Sequence, residues 1–217
     1  MLGFLKFRVQ LAVALVVLGL AWWWWSANRA MVYRKSYITG KEYFVKNMGK
    51  CDMVADRLAE LEVHLRKFLN EAAILYPQDP LIKNIRQRWS GTLAETPENS
   101  KDIAYSVSKD SIFICIRSED GKSVQDFNTA VFVLIHELAH VGNNSWGHDP
   151  QFWASMRTLL EMAEATGFYT YQDFGGRDVV TYCKRQLGSS PLTCIKNGQC
   201  RSTLAHAAAH HTPTRER

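Results

Sequence analysis

Val131-Phe132-Val133-Leu134-Ile135-His136-Glu137-Leu138-Ala139-His140 is the stretch from which the rest of the chain can be read. Val131, Leu134, Ile135 and Leu138 fall at the spacing of one helix face, and Phe132 and Val133 carry the apolar surface round the circumference. Asp126, Asn128 and Thr129 precede the run as N-cap candidates, and Gly142 follows as the expected left-handed residue that ends the helix. In a helix buried on most sides, two imidazoles and a carboxyl are costly to desolvate without a partner. At about 1.5 Å rise per residue, His136 and His140 project from one face about 6 Å apart along the axis, which lets both reach one zinc ion. Glu137 is rotated about 100° from His136, so it lies beside such a metal rather than on it. There its carboxylate can take a proton from water. The pattern predicts a catalytic zinc site with His136 and His140 as ligands and Glu137 as general base.

Catalytic zinc takes three protein ligands and keeps one position open. His148, eight residues after His140, is expected to be the third, because Gly142 and Gly147 let the intervening chain turn back. Asp149-Pro150 then reads as an N-cap and first residue of a second helix, Pro150 to Ala165, ended by Gly167. Asp149 and Glu161 are alternative ligands, although Glu161 and Glu164 also suit the wet face of that helix. The metzincin pattern requires glycine and histidine where this chain has Asn143 and Trp146, so that class is excluded.

Upstream, residues from Lys50 to Tyr76 read as a long amphipathic helix with Met53, Leu58, Leu61, Leu65, Phe68 and Leu69 as its apolar stripe. His64 lies beside that stripe as a packing or surface residue. Pro77 and Pro80 end the helix, and a shorter one covers Leu81 to Trp89. Ile103 to Val107 is a weaker strand candidate. Ser111 to Arg117 is the best strand in the chain, read either as a core strand or as an edge that receives an extended peptide. Downstream, Tyr169, Tyr171 and Tyr182 are possible donors to a reaction intermediate, with nothing to select among them. Residues 188–217 read as a weakly ordered tail, in which His206, His210 and His211 form a short histidine run.

The 217 residues allow one domain plus appendages, and 47% apolar with 22% charged content is globular. A net charge of +5 permits contact with nucleic acid or anionic lipid but argues for neither. Val9 to Trp25 is nearly unbroken apolar and ends in four tryptophans, so residues 1–28 are expected to form an uncleaved, single-pass transmembrane anchor. Residues 29–49 then read as a juxtamembrane linker and 50–187 as the catalytic domain. Arg29, Arg34, Lys35 and Lys41 outnumber Lys6 and Arg8, which places that domain on the cytosolic face. The sequon Asn143-Asn144-Ser145 agrees, since a sugar there obstructs the site. Of five cysteines, Cys183, Cys194 and Cys200 cluster and could hold a small disulfide or a second metal, but none has Cys-x-x-Cys spacing, and all read by default as free thiols in a reducing compartment.

Three blocks carry a likeness to a known family. They are Phe127-Asn128-Thr129, His136 to His140, and Gly147-His148-Asp149-Pro150-Gln151-Phe152-Trp153. Together they resemble the WLM and SprT-like zinc metallopeptidases, most narrowly the membrane-anchored WLM-type proteins of large double-stranded DNA viruses. Softer similarities are Arg88-Trp89, Cys115-Ile116-Arg117 and Tyr182-Cys183. The resemblance spans about Lys50 to Cys183. It implies a minimal zincin-like α+β fold, zinc on His136, His140 and His148, and Glu137 as base. A protein or peptide is then the substrate, reached through zinc-activated water. Two alternatives stand beside this reading: a structural virion membrane protein with a non-catalytic zinc site, and a repair peptidase acting on DNA-linked proteins.

Overall fold

The computed structural model describes residues 2–27, 30–175 and 180–198. Six helices and three small sheets follow one another among them. Helix α1 is Leu2–Ala27; β1 (Met31–Lys35) and β2 (Glu42–Lys46) form a hairpin; α2 is Cys51–Leu75 and α3 is Pro80–Arg88. Strands β3 (Thr92–Glu95), β4 (Ala104–Val107) and β5 (Ser111–Ile114) precede α4 (Phe127–Gly142) and α5 (Pro150–Ala165). The hairpin β6 (Val180–Tyr182) and β7 (Arg185–Leu187) and the single turn α6 (Thr193–Lys196) close the series. The class is α+β.

The anchor expectation is overturned. Among the described residues no helix is long and apolar enough to cross a membrane. Single-pass anchoring falls with it, and so does the cytosolic placement drawn from flanking charges. Lys41, one of those charges, has a structural use instead: its ammonium donates to Glu62 at 2.8 Å and to the Gly91 carbonyl at 2.9 Å.

The stretch expected as a linker belongs to the folded body. Tyr43 and Val45 of β2 are fully buried, and the Tyr43 hydroxyl donates to the buried Glu62 of α2 at 2.9 Å. Asp56 of α2 accepts from the Ser36 hydroxyl at 2.6 Å and from the Tyr37 amide at 2.7 Å, which closes the hairpin loop onto the helix.

The main sheet has the order β3-β5-β4, with β3 parallel and β4 antiparallel to β5. The strongest sequence strand, β5, is therefore central, with Ile112 and Ile114 wholly buried, and the edge beside it is β4. Glu95 at the end of β3 is completely buried and pairs with buried Arg117 at 2.8 Å, while accepting the Lys46 amide at 2.8 Å. Arg117 also donates to the Lys46 and Gly49 carbonyls. This single ion pair ties together β2, β3, the start of α2 and the chain leaving β5. Every charged atom in it has a partner, as a buried charge requires.

The cysteine expectation is also corrected. Cys115 and Cys183 are disulfide-bonded across a separation of 68 residues, and Cys194 is disulfide-bonded too, whereas Cys51 is a free thiol. Beside the bridge, the buried Tyr182 hydroxyl donates to the Cys115 carbonyl. Cys-x-Arg and Tyr-Cys are thus two halves of one junction between β5 and the β6–β7 hairpin. In the expected tail, Leu192 is buried and α6 is formed. His206, His210 and His211 lie outside the described residues.

Candidate metal centre

Asp126 starts α4 by accepting from the Thr129 amide at 2.8 Å, so the helix begins where the sequence pattern sets it. Its buried faces include Val131, Leu134, Ile135 and Leu138. The other end differs from expectation. Gly142 is still helical, and Asn143 leaves the helix in an extended conformation. A Cβ on Gly142 meets Leu81 Cδ1 at 2.4 Å and Ile85 Cγ1 at 2.9 Å. The glycine is there so that α3 can approach, not for a left-handed turn. The left-handed conformation falls on Gly147 (φ 81°), just ahead of His148.

That turn returns His148 to α4. Its Nε2 lies 3.0 Å from Nε2 of His136 and 3.2 Å from Nε2 of His140, and the ligand atoms of all three histidines fall within 4.8 Å of one another. A neutral imidazole nitrogen carries either a proton or a lone pair. His148 Nε2 therefore cannot donate to one neighbour while accepting from the other. Three lone pairs meeting a cation satisfy all of them. Tetrahedral bonds of about 2.0–2.1 Å from zinc to nitrogen put the nitrogens about 3.3 Å apart, close to the spacing here. These three side chains can hold a metal ion.

The ring of Phe152 supports the group from below. It stacks on His140 at 4.3 Å and meets His136 and His148 edge-on at 4.8 and 4.7 Å. Trp153 stacks on His148 at 5.7 Å. Both aromatics come from the first turn of α5, which Asp149 caps by accepting the Phe152 amide at 2.7 Å. Asp149 is thereby a cap, not part of the histidine group. Glu161, the other alternative, is 7% exposed and so not on a wet face, and it lies outside the group as well. The three tyrosine hydroxyls are engaged elsewhere. Tyr169 accepts the Gln172 amide, Tyr171 bonds Thr193, and Tyr182 donates to Cys115. His64 bonds the Glu60 carbonyl on α2 and packs on Phe127.

Burial sets the protonation states. It pushes His136 down to about 3, helped by His140 and His148. It pushes His140 down to about 4, helped by His148 and Lys109. Both rings are thus neutral at ordinary pH, the form that ligates metal. Glu137 is 4% exposed, and its Oε2 has no hydrogen-bond partner. Burial raises its carboxyl to about 8; the negative Asp102 adds to this, and a backbone bond from Ser106 of β4 opposes it. An orphaned carboxyl oxygen, on the residue next to His136 and three before His140, fits a cation and its water.

Residues invisible to motif reading hold the loop. Asn143 is buried; its side-chain Nδ2 donates to Ser145 Oγ at 2.9 Å and its side-chain Oδ1 accepts the Asn144 amide at 2.8 Å. The sequon asparagine is thus occupied inside the fold. Arg88 and Lys109 reach the same loop from α3 and from the β4–β5 turn. Arg88 stands in the Arg88-Trp89 pair noted in the sequence, but nothing short-range gives its contact with this loop, and no pattern marks Lys109.

No protein-family model and no solved structure matches the chain. Similar sequences occur in viruses. An uncharacterized protein of Acanthamoeba polyphaga mimivirus is 28% identical over 159 residues, which cover 70% of this chain and 79% of that protein. An uncharacterized protein of Invertebrate iridescent virus 3 is 39% identical over 66 residues, covering 30% of this chain and 42% of that protein. One of Invertebrate iridescent virus 6 is 32% identical over 79 residues, covering 36% of this chain and 44% of its own length.

Proposed function

We propose that this protein is a zinc-dependent peptidase, with His136, His140 and His148 holding the metal and Glu137 as general base. The observation that carries the reading is the meeting of three Nε2 atoms beside a buried, half-unpartnered carboxyl. An all-imidazole set suits zinc, and three protein ligands rather than four are the mark of a catalytic site. A cation bound there supplies Lewis acidity, lowering the pKa of water and polarising a carbonyl. Glu137 Oε2 accepts the proton released by the attacking water and returns it to the leaving nitrogen. Burial, helped by Asp102, holds Glu137 protonated up to about 8, and a cation bound beside it would favour the carboxylate, the form that accepts the proton.

A route for the substrate follows from the sheet. The Cys115 amide donates to the Ile103 carbonyl at 2.8 Å, so by alternation Ile103, Tyr105 and Val107 face β5. Ala104 and Ser106 turn their main-chain groups away, toward the open side, and Ser106 is the residue that reaches Glu137. An extended peptide adding to that edge runs past the base. This moves the peptide-receiving edge from β5 to β4.

The test measures metal content and cleavage of an unfolded protein by wild type, Glu137→Gln and His148→Ala. The expected result is about one zinc per chain and hydrolysis in wild type, zinc without hydrolysis in Glu137→Gln, and weakened zinc binding without hydrolysis in His148→Ala. Bound metal with no cleavage of any unfolded substrate sinks the peptidase reading and leaves a structural site.

A further inference from the structure

The loop that delivers His148 has little apolar anchorage of its own. Asn144, Trp146, Gly147 and His148 are all exposed, Trp146 by 76%. Two cations from elsewhere in the fold grip its main chain. Arg88, the last residue of α3, donates through Nη1 to the carbonyls of Val141 at 2.9 Å, Asn143 at 3.0 Å and Gly142 at 3.4 Å, and through Nη2 to Asn144 Oδ1 at 2.6 Å. Lys109 donates to the Asn143 carbonyl and to the Ser145 carbonyl at 3.2 Å, and its ammonium lies 4.9 Å from the centre of the Trp146 ring. The acceptors are the carbonyls that a helix end leaves unpaired, followed by the first peptides of the loop. Positive donors at a helix C-terminus are favourable there by charge as well as by geometry. The planar fork of arginine holds several acceptors in a fixed geometry, whereas a lysine ammonium is a point donor on a flexible stem.

Resting on the metal reading above, we propose that Arg88 and Lys109 are positioning residues that set the metal affinity of the site. They clamp the chain between α4 and α5 so that His148 meets His136 and His140 in register. Neither residue belongs to the histidine group itself. Without the clamp the loop samples other paths, and the third imidazole is present only part of the time. Groups that orient metal ligands from outside the coordination sphere typically change affinity by about 10–100-fold.

The experiment titrates Zn2+, and Co2+ for its visible spectrum, into the metal-free full chain. The variants are wild type, Arg88→Met, Arg88→Lys, Lys109→Met, His148→Ala and Arg88→Met combined with His148→Ala, each with its far-ultraviolet circular dichroism recorded. Arg88→Met and Lys109→Met are expected to weaken binding by about 10–100-fold with unchanged helix content, and Arg88→Lys by less. In the His148→Ala background, Arg88→Met is expected to weaken binding no further, because the clamp acts only through that ring. Should Arg88→Met fail to fold, Lys109→Met and Arg88→Lys carry the same comparison. Affinity within about twofold of wild type in all folded clamp variants overturns the clamp and leaves the metal site standing. Equal weakening with and without His148 also overturns it, since that is a general loss of fold. Absence of saturable binding in wild type removes the metal centre itself and the clamp with it.

Discussion

At the scale of single residues, Glu137 is the most informative. Its carboxyl is buried, one oxygen is unpartnered, and its protonation is pushed up to about 8 from 4.5. A carboxyl whose pKa is raised by folding contributes most below its unfolded value, and that contribution is lost as pH rises towards the folded value. In metal-free protein, Glu137→Gln is therefore expected to be neutral near pH 4 and increasingly stabilising from 4.5 to about 8, with a plateau above. At about 1.4 kcal/mol per pH unit the gain has a ceiling of about 5 kcal/mol. Urea denaturation across that range checks it, and a flat difference rules the buried carboxylate out as a source of strain. The same substitution is expected to lower kcat by about 10²–10⁴ with zinc retained, the usual share of a general base. Full activity in Glu137→Gln removes the residue from the mechanism.

Between elements, the site depends on how closely α3 approaches the end of α4. Asn84 and Arg88 on α3 both reach carbonyls at that end, and Leu81 and Ile85 occupy the space a side chain at position 142 would need. Gly142→Ala pushes the helices apart, although Leu81 Cδ1 is the tip of a flexible side chain and can yield partly. The expected loss is about 1–3 kcal/mol, read from the denaturation midpoint with the slope unchanged. A stability equal to wild type indicates that α3 relaxes freely and that the contact is not tight. The β4 edge depends on a relation of the same kind. Its outward residues are known only because β5 occupies the other side.

For the whole molecule, two features link distant parts of the chain. The Cys115–Cys183 disulfide closes a loop with a sequence separation of 68 and joins the β6–β7 hairpin to the main sheet. Chain-entropy arguments give about 4 kcal/mol for a loop of that length. Replacing both cysteines with serine is expected to cost about that much, and treatment of wild type with reductant at least as much, because it also opens the bridge at Cys194. Melting unchanged by reductant means the bridge contributes nothing to stability. A metal ion held by the three histidines would act on the same scale, because it would join α4, the following loop and the start of α5 at one point. At about 100 times its dissociation constant it stabilises by about 2.7 kcal/mol. A rise in Tm with zinc that is absent in His148→Ala checks this.

The helix of the histidine motif, the helix after it, the long α2 and the third member of the histidine group were all legible in the sequence. They depend on helical period, caps and short turns, which are interactions between residues a few positions apart. Glu137 and its neighbours were readable for the same reason. What only the tertiary structure decided depends on residues far apart in the chain. Arg88 grips a carbonyl 53 positions away, Cys115 bonds Cys183, Lys41 pairs with Glu62, and β4 rather than β5 forms the edge. The purpose of Gly142 belongs with these, since its neighbours Leu81 and Ile85 come from another helix. Local periodicity carries no information about such pairs, because each requires the chain to be brought back on itself before the contact exists.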